Sequence, residues 1–210
     1  MKHIPHLYLP GPWEGETLEA GVEQLDHLRR VLRLDDGSEV TYTDGAGTFG
    51  HGIWSGGAIS RSGEEQRERP SKLIVASAPP SSRDRVRFLV EKIAELGVER
   101  LLWLTTRHGA RRVPSLKKQR SWAVSALEQS RGSWLTEVTD RFADWDSLER
   151  PLAVCAPGGS AAGTAFRTVV VGPEGGFGDD EVPVDATIVT LGPTILRVET
   201  AAVVAAARFR

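Results

Sequence analysis

The sequence reads VVVGPEGGFG at positions 169–178, where an apolar run passes directly into a glycine-rich loop. Val169, Val170 and Val171 would be apolar on both faces of a strand, which is typical of parallel sheets covered by helices on each side. Glycine permits tight turns and close approach of a ligand, and α/β proteins bind ligands at the carboxyl ends of their strands. The stretch therefore predicts an α/β domain, and its loop is either a ligand site or a tight turn with an incidental Glu174.

The same alternation of apolar strands and helices extends over residues 72–210. Apolar residues at helical spacing predict one helix from about Asp84 to Leu96 and a second from Ser115 to about Ser130. The last helix, Glu199 to Arg208, consists almost entirely of Ala and Val, so we expect it to be buried or to form a dimer contact. Four further strands are predicted at 73–76, 101–104, 152–155 and 188–191.

Residues 1–68 have a different pattern, of short extended runs separated by glycine-rich turns, which predicts a small β domain. A helix interrupts this pattern, because the apolar residues between Leu25 and Leu32 fall at helical spacing. Ser60 to Ser71 is polar throughout and has no apolar periodicity, so we interpret it as a linker. The predicted strands of this domain are 6–9, 39–43 and 49–54.

The composition excludes several classes of protein. A chain of 210 residues can bury a core without disulfides or a structural metal. The single cysteine, Cys155, can form neither an intramolecular disulfide nor a Cys/His metal cluster. No stretch approaches the ~18 consecutive apolar residues of a membrane span, and the first residues lack the apolar core of a signal peptide. We therefore expect a cytoplasmic protein that binds neither metal nor membrane.

A second loop follows at positions 190–201, TLGPTILRVETA, where a strand ends in a Gly-Pro turn before the last helix. Arg197, Glu199 and Thr200 stand at the start of that helix, where backbone N–H groups lack helical partners. Alone, this pattern is equally consistent with a functional site and with an N-cap that carries a local Arg–Glu pair. Two successive strands that both end in such loops favour one pocket formed by both. Residues 169–207 carry six acidic side chains and one basic side chain, which suits a cationic ligand.

Positive charge is concentrated between Arg100 and Leu127. This run has seven lysines and arginines and no Asp or Glu, although the net charge of the whole chain is -2. A basic run with two tryptophans is a candidate phosphate-binding face, and a solvated surface is the alternative. Glu91 and Glu95, one helical turn apart, are more typical of a solvated helix surface.

These motifs resemble those of the RsmE family of bacterial 16S rRNA (uracil-N3)-methyltransferases. The resemblance rests first on GPEGG at 172–176 and LGPTILRVETA at 191–201. Three further segments fit that family in the right order: HLRRVLRL at 27–34, Glu91-Lys92 with ELGV at 95–98, and EQSR at 128–131. The chain departs from the family's usual pattern at Ser82, Arg83, Thr106, Pro183 and Thr194.

The resemblance implies a fold, a reaction and a set of partners. The fold is a SPOUT-type α/β domain tied in a trefoil knot over residues 72–210, preceded by a PUA-like RNA-binding β-barrel over residues 1–68. The reaction is methyl transfer from S-adenosylmethionine, leaving S-adenosylhomocysteine, to N3 of a uridine in the decoding region of 16S rRNA in the small ribosomal subunit. The working form is a homodimer. The alternatives are another SPOUT methyltransferase, acting on tRNA or a ribose 2′-hydroxyl, and a non-catalytic RNA-binding protein of ribosome assembly.

The resemblance also implies roles for individual residues. Because N3 of uracil is protonated at neutral pH and cannot attack until that proton is lost, our hypothesis is that Arg197 stabilises charge on the uracil oxygens. Glu199 or Glu174 would orient the base or accept its proton. The cofactor would be held by Val171, Gly172, Gly175, Gly176, Leu191, Gly192, Ile195, Leu196 and Thr200. RNA would be bound by Arg29, Arg30, Arg33, Arg107, Arg111, Arg112 and Arg131.

Overall fold

The computed structural model of the chain describes residues 4–19, 34–160 and 165–210. The helix expected between Leu25 and Leu32 and the candidate RNA-binding residues Arg29, Arg30 and Arg33 lie outside these ranges. The chain divides into two compact units. The N-terminal unit comprises Met1–Arg69 and Leu127–Leu135, and the C-terminal unit comprises Pro70–Ala126 and Thr136–Arg210.

The N-terminal unit contains a five-stranded sheet in the order β1-β3-β4-β5-β2. Its strands are β1 (His6–Tyr8), β2 (Thr17–Glu19), β3 (Ser38–Thr43), β4 (Thr48–Ser55) and β5 (Ala58–Gln66). β1 pairs in parallel with β3, and the other pairs are antiparallel. The three predicted strands are therefore confirmed, and β2 and β5 were missed. The core of the sheet is formed by Leu7, Leu9, Leu18, Val40, Tyr42, Trp54 and Ile59.

The predicted linker from Ser60 to Ser71 is wrong, because most of it is a strand. β5 continues to Gln66 and pairs with β4 along its length. Most of its residues beyond Ile59 are exposed, so their sequence shows no apolar alternation although their backbones are hydrogen-bonded. Polar contacts replace packing here: Tyr42 donates to Glu64 at 2.8 Å, and Arg61 donates to the same carboxylate.

The segment Leu127–Leu135 belongs to the N-terminal unit although it lies far along the chain. The ring nitrogen Nε2 of His6 lies 2.9 Å from the carbonyl oxygen of Gly132. The hydroxyl of Thr43 donates to the carbonyl of Ser133, and the Leu135 N–H donates to the Gly45 carbonyl. The domain boundary predicted at residues 68–72 does not assign Leu127–Leu135 to the N-terminal domain. No change in composition marks this segment in the sequence.

The C-terminal unit contains a six-stranded sheet in the order β11-β9-β10-β6-β7-β8, and all its paired strands are parallel. Its strands are β6 (Ile74–Ser77), β7 (Arg100–Leu104), β8 (Glu137–Ala143), β9 (Leu152–Ser160), β10 (Thr168–Val171) and β11 (Thr187–Val189). All five predicted strands are confirmed. β8 was missed because an edge strand is only partly covered, and the residues of β8 are at most half-buried.

Three helices are described: α1 (Arg83–Glu95), α2 (Leu116–Ser130) and α3 (Val198–Phe209). Ser82 caps α1 by accepting from the Arg85 N–H, and Gly97, with φ 68°, follows the end of that helix. α3 packs against α1, β6 and β10 and buries four of its five alanines, so the expectation of a buried last helix is confirmed. Between Glu181 and Ala186 the chain forms turns rather than a helix, and Pro183 in this stretch does not favour a helix.

Because the strands are parallel, the loops that follow them lie along one edge of the sheet, here called the carboxyl edge. It carries residues 78–82, 105–115, 172–186 and 190–197. The segments that lead into the strands lie at the opposite, amino edge. Among the described residues, no helix is long and apolar enough to cross a membrane. In the same residues, no cluster of His, Cys, Asp or Glu could hold a metal ion.

Candidate active site at the carboxyl edge

Arg85, in the first turn of α1, joins the two loops that the sequence singles out. Its Nη1 lies 3.1 Å from Oε1 of Glu174, in the loop after β10. Its Nε lies 3.5 Å from Oε1 of Glu199, at the start of α3. β6 leads directly into this arrangement, since the Ala78 N–H donates to the Val171 carbonyl at 2.9 Å. The structure therefore brings two of the predicted catalytic residues to one guanidinium.

The two carboxylates have different environments. Glu199 is only 7% exposed, and its Oε2 is buried with no hydrogen-bond partner within the described ranges. Its place in the first turn of α3 puts the negative charge near the positive end of the helix dipole. The side chain of Glu174 is 52% exposed, so water solvates it. Glu199 is therefore the carboxylate whose second oxygen is unused.

Packing within the loop after β10 explains its first glycine, Gly172. The ring of Phe177 covers Gly172, where a Cβ would come within 2.7 Å of the ring. Phe177 in turn meets Trp145 edge-on, with ring centroids 5.4 Å apart. Gly176, with φ 73°, closes a turn through its N–H to the Pro173 carbonyl, and a Cβ there would meet nothing within 4 Å. Gly176 thus faces open space, whereas Gly172 serves packing.

The loop before α3 exposes its backbone. Gly192 has φ 145°, and a Cβ there would also meet nothing within 4 Å. The Thr190 hydroxyl donates to the Gly192 carbonyl, and Arg208 donates to the Thr190 carbonyl at 2.7 Å. Ile195 is 89% exposed, a large apolar side chain left in solvent. Of the other predicted residues of this loop and of the start of α3, Leu191 and Leu196 are half-buried and Arg197 and Thr200 are exposed.

Arg107 fastens the loop after β7 to the loop after β10. Its Nη2 lies 2.6 Å from Oδ1 of Asp180, and its N–H donates to Glu181, which also accepts from the Gly178 N–H. The guanidinium of Arg107 holds the pKa of Asp180 below its usual value. Arg107, which was predicted to bind RNA, is therefore paired with Asp180 of the same unit. Arg111 and Arg112 are exposed, while in the N-terminal unit Arg131 donates to the Ile4 carbonyl at 2.9 Å.

Sequence reasoning missed Arg85 as a member of the site. Its signal is positional: it stands in the first turn of a helix that follows β6, so it starts from the same edge as both loops. Burial raises the pKa of the Cys155 thiol to about 12, which does not favour the reactive thiolate.

Comparison with known proteins identifies the chain's relatives. A family model described as an RNA methyltransferase domain matches residues 67–210. The chain is 28% identical over 212 residues to ribosomal RNA small subunit methyltransferase E of Mycobacterium bovis, covering 85% of this chain and 80% of that protein. The Bacillus subtilis protein of the same name is 26% identical over 228 residues, covering 90% and 87%.

A solved structure extends this similarity to the fold. Ribosomal RNA small subunit methyltransferase E from Neisseria gonorrhoeae, bound to S-adenosyl methionine, superposes with a TM-score of 0.83 at 25% identity, covering 98% of this chain and 96% of that one. The family match covers the carboxyl-edge loops and the whole α/β sheet. The chain therefore belongs to the RNA methyltransferase domain family, in its RsmE group.

Proposed function

We propose that this protein transfers a methyl group from S-adenosylmethionine to N3 of a uridine in the decoding region of 16S rRNA in the small ribosomal subunit. The observation that carries the proposal is the Arg85 bridge, which joins both carboxyl-edge loops and leaves one buried oxygen of Glu199 without a partner. The names of the relatives support rRNA of the small subunit as the substrate. The N3 position rests on the family resemblance and on the chemistry described below.

The residues at the carboxyl edge fit the cofactor. When bound, S-adenosylmethionine supplies a methyl group activated by a positively charged sulfur. The open space at Gly176 and Gly192 leaves backbone accessible, and the exposed Ile195 offers apolar surface to an adenosine. The acidic side chains of this edge favour a cation. We assign cofactor binding to the residues that the family resemblance implies for it.

The chemistry of uracil explains why acidic and basic side chains belong in this site. N3 lies between two carbonyls and carries a proton at neutral pH, so it attacks a methyl group only as that proton leaves. A carboxylate, Glu199 or Glu174, accepts the proton or orients the base. Arg197, at the exposed start of α3, stabilises the charge that develops on the uracil oxygens. Removal of one such donor typically lowers a rate by about 100–1,000-fold.

The proposal includes the finer architecture. The C-terminal unit is a SPOUT-type knotted domain and the N-terminal unit is a PUA-like RNA-binding β-barrel, a pairing supported by the similarity to the Neisseria gonorrhoeae structure. The protein works in the cytoplasm as a homodimer, so light scattering should give twice the chain mass of 22.8 kDa. RNA contacts are assigned to the basic residues that the resemblance implies.

A calorimetric titration with S-adenosylhomocysteine tests the proposal without the correct RNA. We expect one site per chain, followed by methyl transfer to small subunits that lack the modification, with the product located by mass spectrometry of the rRNA. If a folded protein binds no S-adenosylhomocysteine, the proposal is wrong. The non-catalytic RNA-binding protein would then be the better description.

A further inference from the structure

Glu199 is held by one oxygen only. Oε1 forms the ion pair with Nε of Arg85 at 3.5 Å, whereas the buried Oε2 has no hydrogen-bond partner in the described part of the chain. A buried polar atom without a partner destabilises a fold, so its presence in a native structure needs an explanation. Packing does not supply one, because an uncharged side chain of the same size would fill the same volume without the charge.

Glu174 shares the same guanidinium but differs in solvation. Its Oε1 accepts from Nη1 of Arg85 at 3.1 Å, and half of its side chain is exposed. Water therefore satisfies its remaining oxygen and competes with any incoming donor. The buried Oε2 of Glu199 has no such competitor. Arg85 therefore contacts two different carboxylates. Glu174 is solvated, whereas Glu199 is buried and has one oxygen without a hydrogen-bond partner in the described part of the chain.

We propose that Arg85 is a positioning residue for methyl transfer, which fixes Glu199 through Oε1 so that Oε2 accepts the imide proton of the target base. This inference rests on the proposed function and decides between the two carboxylates that it leaves open. Glu199 is the proton acceptor, and Glu174 holds Arg85 in place from the solvent side. Because Oε2 lies beneath the surface, the base reaches it only when a covering group shifts.

The step balances with the groups named. The N3–H bond of the base breaks and its proton moves to Oε2 of Glu199. The lone pair on N3 forms a bond to the methyl carbon of S-adenosylmethionine, and the bond from that carbon to sulfur breaks with its electron pair on sulfur. The products are N3-methyluridine, S-adenosylhomocysteine and a protonated Glu199, which then gives its proton to water.

The geometry explains why an arginine stands at position 85. Two different nitrogens of one planar guanidinium meet two carboxylates, Nη1 with Glu174 and Nε with Glu199. Lysine offers a single compact charge on a flexible stem, so it neutralises one carboxylate without fixing both orientations. Replacement of Arg85 by lysine should therefore keep part of the activity that replacement by methionine removes.

The test compares turnover and cofactor affinity in R85M, R85K, E199Q and E174Q. We expect R85M and E199Q each to lower kcat by about 100-fold or more. Their affinity for S-adenosylhomocysteine should stay within about threefold of the wild type. R85M/E199Q should be no slower than either single variant, because the two residues act as one unit. R85K should recover part of kcat, and E174Q should lose about tenfold or less.

R87M is the matched control, since Arg87 lies in the same helix and its exposed side chain forms an ion pair with the half-buried Glu91. Its kcat should equal that of the wild type. The inference is overturned if R85M turns over like R87M. It is equally overturned if E174Q loses as much activity as E199Q, because Glu174 would then be the acceptor.

An unfolding cycle supplies a readout independent of turnover. R85M leaves the buried Glu199 without its counter-charge, so its urea midpoint should fall. R85M/E199Q should recover part of that loss, because no buried charge remains. The corresponding cycle of R87M with E91Q should show no such recovery, since both groups reach water. Strictly additive effects of R85M and E199Q would mean that Arg85 does not hold Glu199.

The two proposals fail in different ways. If the wild-type protein binds no S-adenosylhomocysteine, the proposed function is wrong, and the unfolding cycle still decides whether Arg85 fixes Glu199. If the wild type methylates rRNA and R85M does so equally well, the proposed function stands and the role of Arg85 is wrong.

Discussion

Gly192 and Gly158 separate backbone strain from ligand binding. Both have positive φ, 145° and 79°, and a Cβ at either would meet nothing within 4 Å. Valine at either position forces an L residue into a sparsely populated backbone region, which costs about 1–3 kcal/mol. Gly192 lies in the loop before α3, whereas Gly158 lies in β9. Both substitutions therefore strain the backbone, at places with different expected functions.

We expect G192V to weaken S-adenosylhomocysteine binding by more than about tenfold, because its side chain enters space assigned to the cofactor. G158V should leave the affinity unchanged, although both variants lose stability through backbone strain. Calorimetric titration and thermal unfolding of the two variants check this. Equal loss of affinity would mean that strain, rather than occupied space, weakens binding.

His6 makes the stability of the N-terminal unit depend on pH. Its ring is buried, stacks on Phe49 with centroids 5.1 Å apart, and lies 2.9 Å from both the Thr41 hydroxyl and the Gly132 carbonyl. Burial lowers the pKa of His6 below the ordinary value of 6.5, and the nearby Arg131 lowers it further. The folded state therefore binds this proton less readily than the unfolded chain.

The sign of the effect follows directly. The contribution of His6 to stability is complete above about pH 6.5, where its ring is neutral in both the folded and the unfolded protein. It is lost as the pH falls through the lowered pKa of the folded state. Urea unfolding at pH 7.5, 6.5 and 5.5 should show this loss in the wild type. H6Q should be less stable at pH 7.5 and lose less on acidification. H51Q, at an exposed histidine of the same unit, should keep the wild-type dependence.

At the scale of elements, an ion-pair network joins the segments that lead into three strands. Arg167, before β10, donates to both oxygens of Glu99 at 2.9 and 3.0 Å, and to Glu149 at 2.7 Å. Arg100, at the start of β7, also contacts Glu149. The side chains of Arg167 and Glu99 are only 24% and 22% exposed, so solvent screens them partly. Planar pairing with two carboxylates favours arginine here.

R167M should lower the free energy of unfolding by about 1 kcal/mol, since the network is partly screened. In a unit of this size that is a fall of roughly 2–5 °C in thermal midpoint, smaller at high salt. R87M, which breaks a single pair between residues four apart on one helix, should cost about 0.3–0.5 kcal/mol. If both variants shift the midpoint equally, the network adds nothing beyond isolated surface pairs. Calorimetric unfolding at low and high salt measures the difference.

The predictability of each element follows from its burial. β6, β7, β9 and β10 were found because each contains a run of at least three consecutive apolar residues. β5 and β8 were missed because they are stabilised mainly by backbone pairing, which leaves no apolar pattern. The two loops were found from glycine, proline and charge at strand ends. Arg85 was missed because a first-turn arginine looks the same whether it faces solvent or bridges two distant carboxylates.

At the scale of the whole molecule, the parallel sheet of the C-terminal unit carries the proposed site and the Arg167 ion-pair network at opposite edges. The Arg85 bridge, the open glycines and the exposed Arg111 and Arg112 lie at the carboxyl edge. The amino edge carries the Arg167 network. A change at the amino edge should therefore alter stability with little effect on binding, and a change in the exposed loops of the carboxyl edge should do the opposite.

The charged substitutions R111E/R112E and K72E test this separation for RNA. Arg111 and Arg112 follow β7, whereas Lys72 precedes β6 at the amino edge, and all three are exposed. If the carboxyl edge binds RNA phosphates, affinity falls with salt as counterions are released, with a slope of about 0.7–0.9 per phosphate contact.

R111E/R112E should weaken binding and flatten the plot of log affinity against log salt by about one to two contacts. K72E should preserve the slope, because it changes the net charge without touching that edge. Fluorescence anisotropy on a 16S rRNA fragment at several salt concentrations measures both. A slope unchanged in R111E/R112E would remove this loop from the RNA interface. Equal flattening by K72E would show that net charge, and not the position of the basic loop, governs binding.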